Sequence, residues 1–249
     1  MKSLHALLPF VTALCCTAAQ AATVYDLSGD FSNASNPNGV WSFTQGSTPL
    51  AHYASSTANA INPALANGYW GTGNDLNVNT PEVAKVTVNG STTGAYSDAD
   101  FLTGDVILHS PNPGAGAPLF INWTAPAAGT IDVSGLTWYA HSPVTRSNDV
   151  LVTLGNDTLT TGVLSNSSNN GRSNAFSYSF SGLAVSAGTV LSVRYTPTSG
   201  QTFGSIAGLS ETVTFTASPV PESSTWALMA VGLGLVASIA RRRRVIDRV

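Results

Sequence analysis

The sequence predicts an all-β protein: an antiparallel, jelly-roll-like β-sandwich between an N-terminal signal peptide and a single C-terminal transmembrane helix. Three observations predict it. Short runs alternating apolar and Ser/Thr residues recur from 24 to 217, bounded by Gly, Pro, Asn and Ser. An apolar run with a positive start opens the chain. A charge-free apolar run closed by four arginines ends it. The expected division is 1–21, 22–218 and 219–249.

The first element is Met1-Lys2-Ser3-Leu4-His5, a short positive start, followed by the apolar run from Ala6 to Leu14. Ala19-Gln20-Ala21 then places small side chains at the two positions a signal peptidase inspects, so cleavage is expected after Ala21. A buried N-terminal helix is the alternative reading. The only cysteines, Cys15 and Cys16, lie inside this segment, which leaves the mature chain without a disulfide or a thiolate.

The body is read as strands. Val150, Val152 and Leu154 alternate with Leu151 and Thr153, and Gly155-Asn156-Asp157 turns the chain into Thr158–Thr161. Phe176, Tyr178 and Phe180 alternate with serines, as do Leu191, Val193 and Tyr195 with Ser192, Arg194 and Thr196, and Val213 and Phe215 with threonines. Each run offers one apolar and one polar face, as a half-buried antiparallel strand does. Weaker strands are expected at Gly39–Gln45, Glu82–Val88, Asp105–His109, Leu119–Thr124 and Gly129–Trp138. Trp138 is out of phase with Ile131 and Val133 unless Gly135 forms a bulge. A sandwich of this length buries a core without disulfides.

Charge excludes some partners. Between Ala22 and Glu222 there are four basic residues (Lys85, Arg146, Arg172 and Arg194) against twelve acidic ones, a net charge of −8. A body of that sign binds neither nucleic acid nor an anionic lipid surface without help from cations.

Motifs for chemistry are sparse. His52, His109 and His141 fall in no H-E-x-x-H or H-x-H spacing, and no G-x-S-x-G elbow is present. No metal site, catalytic residue or cofactor is expected, and the body is read as non-enzymatic. Paired carboxylates could serve a glycosidase, but the body holds only Glu82 and Glu211 besides Glu222. A secreted hydrolase acting on matrix polysaccharide is therefore the runner-up reading. Asp98, Asp100 and Asp105 form the densest acidic cluster. Oxygen-rich loops of that kind bind structural Ca²⁺ outside cells, but this spacing is not an EF-hand, so a solvated loop is the preferred reading. Aromatic faces on sandwiches stack on sugars. Trp41, Tyr69 and Trp70, beside Gly/Asn-rich loops, are the candidate sugar contacts, with burial in the core as the preferred reading.

The last element is Trp226–Ala240, fifteen residues without charge. As a helix they rise about 22 Å, and with Ser223, Ser224 and Thr225 about 27 Å, near the ~30 Å hydrocarbon core. Arg241, Arg242, Arg243 and Arg244 follow, and four guanidinium groups hold that end in the cytoplasm.

Val220-Pro221-Glu222-Ser223, then Trp226 and the Gly/Leu-rich helix 224–240, then the arginine-rich tail 241–249, resembles the PEP-CTERM sorting signal. Ser223 stands where that family has its second proline. Asp30–Phe43 and Trp123–Thr130 are also similar to body segments of PEP-CTERM proteins. The resemblance implies export through the Sec machinery and signal peptidase, then residence in the inner membrane with the C-terminus cytoplasmic. It further implies recognition by an exosortase and delivery to the cell surface or extracellular matrix of a Gram-negative bacterium that makes exopolysaccharide. The expected function is thus an exopolysaccharide- or biofilm-associated surface protein with a carbohydrate-binding sandwich.

Overall fold

The computed structural model describes residues 21–54, 68–73, 81–87, 100–141, 143–219 and 223–246. Ala21–Ala217 form one compact unit. Its strands are β1 (Thr23–Asp26), β2 (Trp41–Gln45), β3 (Thr48–Pro49), β4 (Ala51–Tyr53), β5 (Tyr69–Gly71), β6 (Glu82–Lys85) and β7 (Val106–His109). They continue as β8 (Leu119–Thr124), β9 (Gly129–Tyr139), β10 (Ser147–Leu154), β11 (Asp157–Ser165), β12 (Phe176–Val185), β13 (Val190–Pro197) and β14 (Ile206–Ala217). A 3-10 turn, Arg172–Asn174, precedes β12.

The strands form two antiparallel sheets. The first runs β12-β9-β14-β7-β6-β5-β4, with β1 also against β14; the second runs β11-β10-β13-β8-β2-β3. From β7 onward, apart from the β10–β11 hairpin, each connection crosses between sheets, so that β12-β9-β14-β7 face β11-β10-β13-β8. This is the interleaving of a jelly roll. The alternating runs of the sequence lie where they are expected. Leu191, Val193 and Tyr195 of β13, Ile131 and Val133 of β9, and Val213 and Phe215 of β14 all enter the space between the sheets. Gly155-Asn156 makes the β10–β11 turn, with Gly155 at φ +57°. That region of backbone space favours glycine.

The core is heavily aromatic. Trp41 opposes Trp123 in register, and the Trp123 ring lies 5.8 Å from Tyr25 and 6.1 Å from Phe215. One row of this core depends on a glycine. Gly135 of β9 has Tyr178 of β12 on one side and Glu211 of β14 on the other. A Cβ at 135 would stand 2.2 Å from the Tyr178 ring. Without it the ring lies across β9, and the Tyr178 hydroxyl donates to Glu211 Oε1 at 3.0 Å.

Trp138 needs no bulge at Gly135, because β9 and β14 stay in register throughout. The irregularity lies on β12 between Phe180 and Leu183, where Gly182 takes φ +65°. Trp138 points away from the sandwich interior into a second apolar cluster, with Tyr69, Ala84, Val86, Phe101, Ile107, Ala140 and Ile206. That end of the first sheet is buried on both faces, so strict alternation stops there.

The helix α1 (Ser223–Ile246) is described by itself. It covers the expected span 224–240 and continues through the arginines. Its described side chains run from Leu228 to Ile239, with Arg241, and are exposed. Those twelve residues rise about 18 Å. Among the described residues no helix is long and apolar enough to cross a membrane. The signal segment with Ala19, the motif residues Val220, Pro221 and Glu222, and Asp98 lie outside the described residues, as do the side chains of Trp226 and Arg242–Arg244.

Candidate functional site

The three candidate sugar contacts are buried. Trp41 is 2%, Tyr69 1% and Trp70 5% exposed. Their polar edges are used internally: Trp41 Nε1 donates to Asp30 Oδ2 at 3.1 Å, Trp70 Nε1 to the Ser32 carbonyl at 2.7 Å, and the Tyr69 hydroxyl to the Gly73 carbonyl at 2.9 Å. Tyr69 and Trp70 are consecutive on β5, so they face opposite sides of the sheet. Because both sides are covered there, neither ring offers a face to an external sugar.

The acidic loop is tied to a cation of the chain. Asp105 pairs with Arg172, and Asp100 Oδ2 accepts the Arg172 amide at 2.6 Å. The Arg172 guanidinium lies 4.1 Å over the Trp138 ring. These contacts staple the 100–105 loop over the second cluster. Among the described residues no group of three or more His, Cys, Asp or Glu side chains is placed to hold a metal.

The two body glutamates do not form a pair. Glu82 shares the outer face of β6 with Ala84, whereas Glu211 projects inward beside Leu209 and Val213. They lie on opposite faces of one sheet and are both buried, so they cannot flank one glycosidic bond. Burial raises the Glu211 carboxyl to about 7, a shift moderated by the Tyr178 hydrogen bond. Burial also pushes the Tyr178 and Tyr195 phenols up. His109 is lowered to about 4, first by burial and then by the charges of Arg146 and His141, against the bond to the Ser110 carbonyl.

An open site does exist, at one end of the sandwich. Three connections meet there: 110–118 between β7 and β8, the described residues 140–141 and 143–146 between β9 and β10, and 198–205 between β13 and β14. A buried polar network fixes them. Ser110 Oγ donates to Asn148 Oδ1 at 2.6 Å and accepts the Ser205 amide at 3.0 Å. Asn148 Nδ2 donates to the Ser205 carbonyl at 3.2 Å, and Asn112 Oδ1 accepts the Gly204 amide at 2.9 Å. Gly204 is required, because a Cβ there would stand 2.1 Å from the Ser110 carbonyl.

Two depressions lie in this loop surface and share Gly200 and Gln201. One, of about 220 Å³, is walled by Pro111, Pro113, Pro118 and Pro197. The other, of about 440 Å³, is lined by Thr145, Arg146, Gln201, Thr202 and Phe203 among others. Phe203 is 50% exposed, and the Arg146 guanidinium sits 4.8 Å above its ring. Arg146 Nη1 donates to the Gly204 carbonyl at 2.9 Å. Together they make an aromatic platform, amide and hydroxyl groups, and a cation on a braced backbone. Sequence reasoning missed Phe203. Its only signal is an aromatic placed inside the turn-rich Ser199-Gly200-Gln201-Thr202-Phe203-Gly204, outside any alternating run.

No family model matches the sequence, and no curated protein matches it. Among solved structures, the chain is similar to the C-terminal family 6 carbohydrate-binding module of the laminarinase LamC from Zobellia galactanivorans. The identity is 15% and the TM-score 0.26, over 53% of this chain and 90% of that one. It is similar to a family 35 carbohydrate-binding module from Clostridium thermocellum at 15% identity and TM-score 0.28, over 53% and 86%. It is also similar to the Stig cyclase Fisc from Fischerella sp. TAU at 12% identity and TM-score 0.34, over 72% and 86%. None of these likenesses reaches a TM-score of 0.5, so none bears on what this chain does.

Proposed function

We propose that the chain is an exported, non-enzymatic surface or matrix protein whose sandwich holds exopolysaccharide at the loop-end cleft. The observation that carries the binding half is Phe203, a half-exposed ring set between hydrogen-bonding side chains in a cleft with a braced floor. A pyranose presents apolar C–H faces and a rim of hydroxyls. A ring platform bordered by Gln201, Thr202 and Thr145 matches both parts. The export half rests on the sequence: the N-terminal signal pattern, the apolar run 226–240 as membrane anchor, Arg241–Arg244 as its cytoplasmic stop, and the PEP-CTERM-like motif read by an exosortase.

Binding is tested with the cell's own exopolysaccharide. Saturable binding without release of new reducing ends is expected, and release of sugars would favour the hydrolase instead. Sorting is tested by fractionating cells that express a body-tagged chain. The wild type is expected at the surface, shortened at its C-terminus. A Pro221→Ala/Glu222→Ala double variant is expected to remain full-length in the inner membrane. A wild type that itself stays there uncut would refute the sorting reading.

A further inference from the structure

We infer that the loop-end cleft selects acidic sugars, taking the carboxylate of a uronic acid residue on Arg146 while Phe203 supports the ring. The inference rests on the polysaccharide-binding reading above and names the substrate class for that site. The body has four cations, and the other three lie elsewhere, two of them with partners. Arg172 pairs with Asp105, Lys85 Nζ donates to the Ser28 carbonyl at 2.6 Å, and Arg194 projects from β13 between Phe120 and Leu151 of the neighbouring strands. Arg146 sits at the cleft, and among the described residues no acidic side chain lines either depression. Among the described residues its guanidinium donates one hydrogen bond, from Nη1 to the Gly204 carbonyl, which fixes its plane and leaves the rest of the donor fork for a ligand.

A planar fork held in place matches a carboxylate with two parallel N–H···O bonds, a geometry that a lysine ammonium does not offer. The Phe203 ring below the guanidinium compensates part of its lost hydration and holds it at fixed height. Of the body's acids, Asp149 lies near the proline-walled depression, where its Oδ1 accepts from Thr198 Oγ1 at 2.7 Å. Charges farther away than a Debye length of about 8–10 Å are screened at physiological salt. The adjoining proline-walled depression shares Gly200 and Gln201 with the Arg146 site, so the two lie in series, as successive residues of a polymer would need.

The test is calorimetric titration of the full chain in detergent micelles with three probes: a galacturonic acid hexamer, its methyl ester, and cellohexaose. The wild type is expected to bind the acid at least tenfold more tightly than the ester. Arg146→Gln is expected to abolish that preference, and Arg146→Lys to retain part of it. Phe203→Ala is expected to weaken acid and ester alike. Far-UV circular dichroism and melting of each variant separate loss of the site from loss of the fold. Equal binding of acid and ester, or an acid preference that survives Arg146→Gln in a folded protein, overturns the uronate inference and leaves polysaccharide binding standing. No binding of any probe or of the native exopolysaccharide overturns both.

Discussion

At the scale of single residues, burial separates side chains that build the protein from those that meet a ligand. Trp41 and Trp70 have the composition of a sugar platform but the position of core. Truncating Trp41 to alanine is expected to cost about 3–5 kcal/mol in unfolding free energy. Truncating Phe203 is expected to change stability by no more than about 0.5 kcal/mol while lowering glycan affinity. Denaturant melts of the two variants check this contrast; a Phe203→Ala loss as large as that of Trp41→Ala would place Phe203 in the core. Gly135 is the second discriminating position. Gly135→Ala drives a methyl into the Tyr178 ring and is expected to cost about 1–3 kcal/mol. The paired variant Gly135→Ala/Tyr178→Ala is expected to lose less than the sum of the single changes. The sequence offered core burial for the tryptophans, but the route of the Tyr178 ring across β9 and the covered outer face leave no mark in the local pattern.

Elements were legible to the extent that their burial was one-sided. The hairpin of β10 and β11, with β13 and the inner residues of β14, was readable because one face meets the core and the other meets water. β3, β4 and β5 are two or three residues long and show no period. β5 is buried on both faces, so no alternation marks Tyr69-Trp70 as part of a strand. The cleft was invisible for a different reason. It is assembled from three connections far apart in the chain, and only the sheet order brings them to one end. The acidic cluster shows the same limit, since its partner Arg172 arrives from the turn before β12. Removing that clamp with Arg172→Ala is expected to accelerate amide hydrogen exchange across 100–105 and leave that of β10 and β13 unchanged. Uniform acceleration would mean the clamp supports the whole sandwich rather than one loop.

At the scale of the whole molecule, two buried titratable groups set opposing pH dependences. Glu211 is raised from 4.5 to about 7, so the folded state holds its proton longer than the unfolded state. Its contribution is fully present below pH 4.5 and is lost as pH rises to about 7, on the order of 3 kcal/mol in total. His109 is lowered from 6.5 to about 4, so its contribution is present above pH 6.5 and is lost as pH falls to about 4. Between about pH 4.5 and 6.5 the two slopes oppose each other, and the wild type is expected to be nearly flat. Glu211→Gln is expected to show stability rising with pH across that window, and His109→Asn stability falling. Chemical melts at half-unit pH steps check the pair; parallel slopes in the two variants would mean other groups dominate.

Binding of exopolysaccharide at the loop end of this sandwich is tested most directly by titrating the purified chain with polymer from the producing cell, beside its Phe203→Ala variant. Saturable binding that the substitution weakens at least tenfold, with an unchanged melting temperature, is the expected result. Binding of equal strength by both proteins, or none by either, would contradict it.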